Sequence, residues 1–166
     1  MPAANVIGAP GEGWKVANTS LAAERGGVGD LGSREVIAGL IDLAGARLAD
    51  GAVRQDIARL AVRSRIQGAL GSTVLTRALR GETTITDAPM MKVWASQLNL
   101  DAVEYGLALQ GARSALAETD PLVVEGGLWQ DSFLYARALT IAGGSNEIMR
   151  NLIAERGLAL PREPRG

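Results

Sequence analysis

Apolar residues recur every three to four positions over most of this chain, a spacing that places them on one side of an α-helix. The longest such stretch covers residues 53–79, where the opposite side carries arginines. The same spacing predicts further helices over residues 14–25, 33–48, 88–116, 129–141 and 146–158. Strand-like alternation is nearly absent, so the pattern predicts an all-α protein.

Capping residues and glycine breaks divide these helices. Residues 26–32 hold four glycines in seven positions, and each costs a helix about 1 kcal/mol against alanine. Ser33 and Asp87 are predicted to cap the helices that follow them, and Pro89 suits a first helical turn. Long helices joined by short loops pack as antiparallel bundles. We therefore expect an up-and-down four-helix bundle with a short extra C-terminal helix.

The composition narrows the function. The chain has 166 residues, 47% of them hydrophobic and 21% charged, and its net charge of −1 gives no sign of nucleic-acid binding. No apolar run reaches the ~18 residues of a membrane span, and the N-terminus does not resemble a signal peptide, so a cytoplasmic protein is expected. Cysteine and histidine are absent, which removes thiolate nucleophiles, the usual imidazole base and the commonest zinc ligands. No metal site is predicted, and proton transfer must use a carboxylate, lysine, tyrosine or cofactor.

The most distinctive local pattern is a glycine pair followed by a short helix. Gly143 and Gly144 allow a tight turn and a close approach to another group, and either Ser145 or Asn146 can cap the helix behind them. Free N–H groups at such a helix start suit a phosphate or another electron-rich ligand. The alternative is a capped surface helix with no ligand, and the residues alone leave both open.

Several stretches resemble one enzyme family. The run 143–165, Gly-Gly-Ser-Asn-Glu-Ile-Met-Arg-Asn-Leu-Ile-Ala-Glu-Arg-Gly-Leu-Ala-Leu-Pro-Arg-Glu-Pro-Arg, closely resembles the C-terminal end of acyl-CoA dehydrogenases. Residues 5–17 and 22–25 look like that family's passage from its β-domain into its C-terminal helical domain, and residues 129–138 also fit. The resemblance implies the four-helix C-terminal domain of an FAD-dependent enzyme. Such an enzyme desaturates an acyl-CoA and passes the electrons to an electron-transfer flavoprotein.

The resemblance also implies a catalytic base. Most family members carry a glutamate at the position that Gly143 occupies here, and it removes the α-proton of the acyl thioester while the β-hydride passes to the flavin. A minority branch places this base in a Glu-Arg pair on the first helix of the domain. That position matches Glu24, which is followed by Arg25. From the residues alone, a solvated Glu24 or a structural pair with Arg25 is the alternative.

The predicted cofactor-binding residues are Gly143, Gly144, Ser145 and Glu147, which resemble the family's flavin-contacting turn. The family often has a Gln-X-Leu-Gly-Gly element that contacts the flavin diphosphate of a neighbouring subunit. The corresponding residues 107–112 read Leu-Ala-Leu-Gln-Gly-Ala, and the family's Arg-X-X-Phe-Gly segment is missing. The resemblance therefore implies FAD in a site that this chain alone does not complete in the usual way.

Two further groups have a functional and a structural interpretation. The arginines of the 53–79 helix can meet the phosphates of CoA or a flavin, or simply form a solvated helix face. Trp94, Tyr105 and Trp129 can form a cofactor platform or belong to the core. In both cases the structural interpretation is favoured.

The resemblance divides the chain into a β-domain remnant or linker at 1–13, a helical bundle at 14–158 and a flexible tail at 159–166. The family's N-terminal helical domain and central β-domain have no counterpart here. Three hypotheses follow: a subunit that works with a partner chain carrying those domains, a truncated inactive product, or a helical oligomerisation and interaction module without catalysis. A homo-oligomer or a complex with a partner chain is expected in each.

Overall fold

Six α-helices make up most of the structure. The computed structural model describes residues 2, 5–27 and 32–162, with the backbone alone for 22–27, so parts of the predicted glycine break and tail lie outside the described residues. The helices are α1 (Gly13–Gly27), α2 (Ser33–Ala44), α3 (Gly51–Leu79), α4 (Asp87–Gln110), α5 (Leu128–Leu139) and α6 (Asn146–Leu152). No strand occurs in the described ranges. The all-α prediction is confirmed.

Helix α4 is the centre of the fold. It contacts α1, α2, α3, α5 and α6, whereas α2 and α3 also contact each other. A helix surrounded by others buries apolar residues on several sides, and most of the buried residues of α4 are apolar. Its buried residues include Met91, Ala95, Leu98, Val103 and Leu109. Helices α2 to α5 correspond to the four long helices of the expected bundle, and their up-and-down order stays a prediction.

The main core forms where α2, α3 and α5 meet α4. Leu40 of α2, Ile57 and Leu60 of α3 and Leu98 of α4 pack together with Trp129 of α5. Complete burial of a side chain of this size contributes about 1.5 to 3 kcal/mol. The core therefore fixes α5, and with it the start of the segment that leads to α6.

Helices α2 and α4 end several residues earlier than their apolar spacing predicts, and α6 ends at Leu152, where a π-helical turn over Ile153–Gly157 follows. Helix α2 stops at Ala44 and α4 at Gln110, not at residues 48 and 116, and a 3₁₀ turn follows each at Gly45–Ala49 and Gly111–Ala115. The φ angles of Gly45 and Gly111 are 48° and 59°. A right-handed helix cannot pass through a positive φ, so these glycines end both helices although the apolar spacing continues.

Two predicted caps are wrong. Gly32 occupies the capping position of α2, and the Oγ of Ser33 instead forms a buried 2.9 Å hydrogen bond with the Oγ of Ser64 on α3. Asp87 lies inside α4, where its Oδ2 accepts the N–H of Thr84 at 2.8 Å. Ser33 thus joins α2 to α3, and Asp87 closes the loop that precedes α4.

Within the described residues, no helix combines the length and the apolar character that crossing a membrane requires.

Candidate functional site

The segment between α5 and α6, residues 140–146, forms a tight turn that we call the terminal turn. The φ angles of Gly143 and Gly144 are 65° and 107°, a backbone conformation that residues with a Cβ rarely adopt. Two backbone hydrogen bonds close the turn: the N–H of Asn146 donates to the carbonyl of Thr140 at 3.0 Å, and the N–H of Gly144 donates to that of Ile141 at 3.2 Å. The glycine pair is thus needed for the shape of the turn.

Ser145 caps α6 as one of the two sequence alternatives predicts. Its Oγ accepts the N–H of Ile148 at 3.4 Å. Glu147 in the first turn of α6 is exposed. Its own backbone N–H and a hydrogen bond with the Ser145 side chain lower the pKa of this carboxyl below its usual range, and the positive charges of Arg150 and then Lys92 add to this effect. Glu147 therefore carries a negative charge at neutral pH.

A cluster of three buried polar side chains fastens the terminal turn to α4. Lys92 is 0% exposed, and its Nζ donates to the carbonyl of Thr140 at 2.9 Å and to the Oδ1 of Asn146 at 2.7 Å. The Oγ of Ser96 donates to the same Oδ1 at 3.0 Å. We call Lys92, Ser96 and Asn146 the turn anchor. Sequence reasoning missed it, although two polar residues four positions apart in a largely apolar helix are a signal for a shared buried contact.

The hydrogen bonds of the terminal turn determine which of its backbone N–H groups can bind a ligand. The N–H groups of Gly144, Asn146 and Ile148 all donate within the chain, so they are not available to a phosphate. Gly144 is partly exposed and has no side chain, which lets a flat group approach its backbone closely. These three donors are therefore closed to a phosphate, whereas the backbone of Gly144 is open to a flat group.

The arginines of α3 mainly contact the protein itself. Arg63 pairs with Asp101 of α4 at 2.6 Å, and Arg77 pairs with the buried Asp87 at 2.9 Å. Burial on its own would raise the pKa of Asp87, but hydrogen bonds from Thr84 and Arg77 lower it overall. These contacts favour a structural role for the helix face.

The aromatic side chains also belong to the packing. Trp129 is 4% exposed and lies in the main core, with Tyr105 packed against it. The Nε1 of Trp94 donates to the carbonyl of Arg63 at 3.1 Å. In the part of the chain that the structure describes, no group of three or more acidic, histidine or cysteine side chains is placed to hold a metal ion.

Comparison with known proteins identifies the fold. Residues 11–158 match the family described as acyl-CoA dehydrogenase, C-terminal domain. The chain belongs to this family. The match includes α1, the turn anchor and the terminal turn.

Individual acyl-CoA dehydrogenases agree. IpdE1 of Mycobacterium tuberculosis (strain ATCC 25618 / H37Rv) is 35% identical over 172 residues, which cover 97% of this chain and 42% of IpdE1. The solved steroid ACAD Tcur3481-Tcur3483 has a TM-score of 0.87 at 26% identity, over 98% of this chain and 44% of that one. The ChsE4-ChsE5 complex from Mycobacterium tuberculosis shares the fold, with a TM-score of 0.74 at 24% identity over 98% and 45% of the two chains. The chain spans less than half the length of each of these relatives.

The predicted site residues of this acyl-CoA dehydrogenase domain fall into two places. Gly143, Gly144, Ser145 and Glu147 lie together in the terminal turn and the start of α6. Glu24 lies in α1, a helix that contacts α4, but its side chain is outside the described residues. The roles assigned to both groups stay predictions.

Proposed function

We propose that this chain provides the C-terminal helical domain, or a subunit equivalent to it, of an FAD-dependent acyl-CoA dehydrogenase. The match over residues 11–158 carries the proposal. The enzyme introduces a double bond between the α and β carbons of an acyl-CoA thioester. An α-proton and a β-hydride leave the substrate in this reaction, so the site needs a base and a hydride acceptor.

Glu24 is the proposed catalytic base. Gly143 stands where most family members carry the glutamate, and glycine has no group that takes up a proton. The chain has no histidine and no cysteine, so a carboxylate is the fitting general base for a carbon acid. In the proposed reaction a carboxylate oxygen of Glu24 takes the α-proton.

The terminal turn is the proposed flavin contact. FAD, when bound, supplies the acceptor for the β-hydride. The partly exposed backbone of Gly144 would lie against the ring, with the buried Gly143 next to it in the turn and Ser145 and Glu147 beside it. The partly exposed backbone of Gly144 supports contact with a ring. The N–H groups of Gly144, Asn146 and Ile148 already donate within the chain, so they do not support a phosphate site.

The remaining parts of the enzyme are proposed to come from a partner chain or a second copy. This chain covers 44% of the Tcur3481-Tcur3483 chain that it matches, and the name of that enzyme joins two proteins. By the same likeness, the proposed substrate is the CoA thioester of a steroid-derived acid. An electron-transfer flavoprotein is the proposed electron acceptor, as the family resemblance implies.

Replacing the base tests the proposal. In the assembled enzyme, Glu24→Gln should lower kcat by about 10²- to 10⁴-fold while FAD stays bound. Glu12→Gln is the matched control, because Glu12 is exposed and its surface pair with Lys15 contributes little. The amide oxygen of glutamine can still accept the N–H of Ala9, which Glu12 accepts at 3.3 Å. The assay follows reduction of an artificial electron acceptor with straight-chain and steroid-derived acyl-CoA thioesters. Full activity of Glu24→Gln would remove Glu24 from the mechanism.

The alternative is an inactive helical oligomerisation module. It would be supported if the chain formed only complexes with itself, and if neither the chain nor those complexes retained FAD.

A further inference from the structure

A lysine side chain lies wholly inside the fold, directly behind the terminal turn. Lys92 on α4 is 0% exposed, and its Nζ contacts Thr140 and Asn146. Removing an ammonium group from water costs several kcal/mol unless oxygen atoms of the protein replace the lost hydration. A methionine or leucine would fill similar space without this cost, so packing alone does not explain why a lysine is buried here.

Thr140 and Asn146, which both accept from Lys92, lie at opposite ends of the terminal turn. Thr140 is the residue that follows α5, and Asn146 is the first residue of α6. They already share one backbone hydrogen bond of 3.0 Å. By binding both, the ammonium joins the exit of α5 and the start of α6 to α4, which is the most enclosed helix of the fold.

Ser96 completes the arrangement one helical turn further along α4. Its Oγ donates to the same Oδ1 of Asn146 that Lys92 contacts. Ser96 is 0% and Asn146 3% exposed, so water does not compete for these bonds. Hydrogen bonds that involve a charged donor are shorter and stronger than neutral ones, and the 2.7 Å bond from Lys92 is the shorter of the two to this oxygen.

We propose that Lys92 is a positioning residue whose buried ammonium group holds the terminal turn in its closed conformation through Thr140 and Asn146. Its effect on a cofactor passes through the backbone of Gly143 and Gly144. That part of the proposal rests on the proposed function, whereas the effect on the turn does not.

Hydrogen exchange of the purified full chain measures the conformation of the turn. Lys92→Met keeps the length and apolar volume of the side chain but removes the charge and its hydrogen bonds. Amide exchange over residues 143–148 should then accelerate on the order of ten- to a hundredfold, with exchange in the centre of α3 unchanged. Ser96→Ala, which removes one neutral bond, should accelerate the same amides by a smaller factor.

Arg77→Met is the matched control. Arg77 is also joined to α4, through Asp87, the first residue of that helix. Its loss should accelerate exchange around residues 80–90 and leave residues 143–148 unchanged. Equal acceleration at 143–148 would mean that any loosening of α4 opens the turn, and would overturn a specific role for Lys92.

Chemical rescue separates the charge from the packing. The chain has no cysteine, so Lys92→Cys introduces a single thiol, and alkylation with 2-bromoethylamine in denaturant rebuilds an ammonium at nearly the same reach. After refolding, the alkylated protein should regain slow exchange at 143–148, and the unalkylated protein should not. Slow exchange in Lys92→Met, or no recovery after alkylation, would overturn the proposal. If Lys92→Met does not fold, Ser96→Ala and the alkylated protein decide the question by the same criteria.

FAD retention by the same variants distinguishes the effect of Lys92 on the terminal turn from the contact of that turn with FAD. If exchange at the turn accelerates and FAD retention falls with it, both the anchor and the flavin contact are supported. If exchange accelerates while the assembled enzyme holds FAD as tightly as before, the anchor stands and the flavin contact of the turn is overturned.

Discussion

Gly106 is a residue at which a single substitution should strongly disturb the packing around Trp129. A Cβ at residue 106 of α4 would lie 2.9 Å from the Cδ2 of Trp129 and closer still to its Cε3 and Cζ3. These atoms belong to a rigid ring, so they cannot move aside independently. Gly106→Ala therefore requires a displacement of the whole indole or of α4.

The indole has little freedom to move. On its other side it lies against Gly39 of α2, where an added Cβ would be 3.3 Å from Cζ2. Its Nε1 donates to the Oε2 of Glu125 at 3.0 Å. Overpacking of this kind costs about 1 to 3 kcal/mol, occasionally more, and the close approach at Gly106 indicates the upper part of that range.

The substitution also increases the helix propensity of α4. Alanine favours a helix over glycine by about 1 kcal/mol, so the expected net loss for Gly106→Ala is about 2 kcal/mol. For a domain of this size the midpoint of thermal unfolding should fall by roughly 4 to 8 °C. Circular dichroism during heating and denaturant titration measure the two quantities.

Gly68→Ala on α3 is the matched control. An added Cβ there has only the Nη2 of Arg34 nearby, at 3.6 Å, the end of a flexible side chain. This variant should be more stable than the parent by up to about 1 kcal/mol. In a Trp129→Leu background, Gly106→Ala should lower the free energy of unfolding much less, because the indole ring that the new Cβ would overlap is absent. A Gly106→Ala protein as stable as the parent would refute the packing argument.

Two further predictions concern polar contacts. Asp87→Asn should lower the free energy of unfolding at pH 7 by about 1 to 3 kcal/mol, since it weakens the bonds to Arg77 and Thr84. The pKa of Asp87 is lowered in the folded state from its ordinary value of 3.8. Its stabilisation is therefore complete above that value and is lost as the pH falls through the folded-state pKa. Denaturant titration should show the difference between parent and variant at pH 7 and a smaller one near pH 3, and an equal difference at both would contradict the assignment. Ser145→Ala should cost about 0.5 to 2 kcal/mol through loss of the α6 cap, with faster amide exchange at Ile148, and unchanged exchange there would show that the cap does not hold the helix start.

The sequence predicts the helices well because burial follows their period. Ile37 and Leu40 of α2 are three positions apart, Val53, Ile57 and Leu60 of α3 are four and three apart, and all lie in the core. The ends of α2 and α4 depend instead on single positive φ angles at Gly45 and Gly111. A glycine is compatible with either continuation or termination, so the periodicity does not decide between them.

The sequence predicts only part of the candidate site. Ser145 as a cap and the Gly143-Gly144 turn follow from local chemistry, and the flavin and base roles come from family resemblance. The turn anchor depends on contacts between residues about fifty positions apart, such as Lys92 with Asn146. A lysine in a helix normally indicates a solvated position, and only the three-dimensional packing reveals that this one is buried.

The most direct test of the account is the visible absorption of the complex that this chain forms. The chain carrying an affinity tag is expressed in the cells it comes from, purified with its partners in excess FAD, and then freed of unbound flavin by gel filtration. A flavin band that elutes with the complex, and that bleaches on addition of an acyl-CoA thioester, is the result that the account predicts. A colourless complex from the same procedure would contradict an FAD-dependent acyl-CoA dehydrogenase.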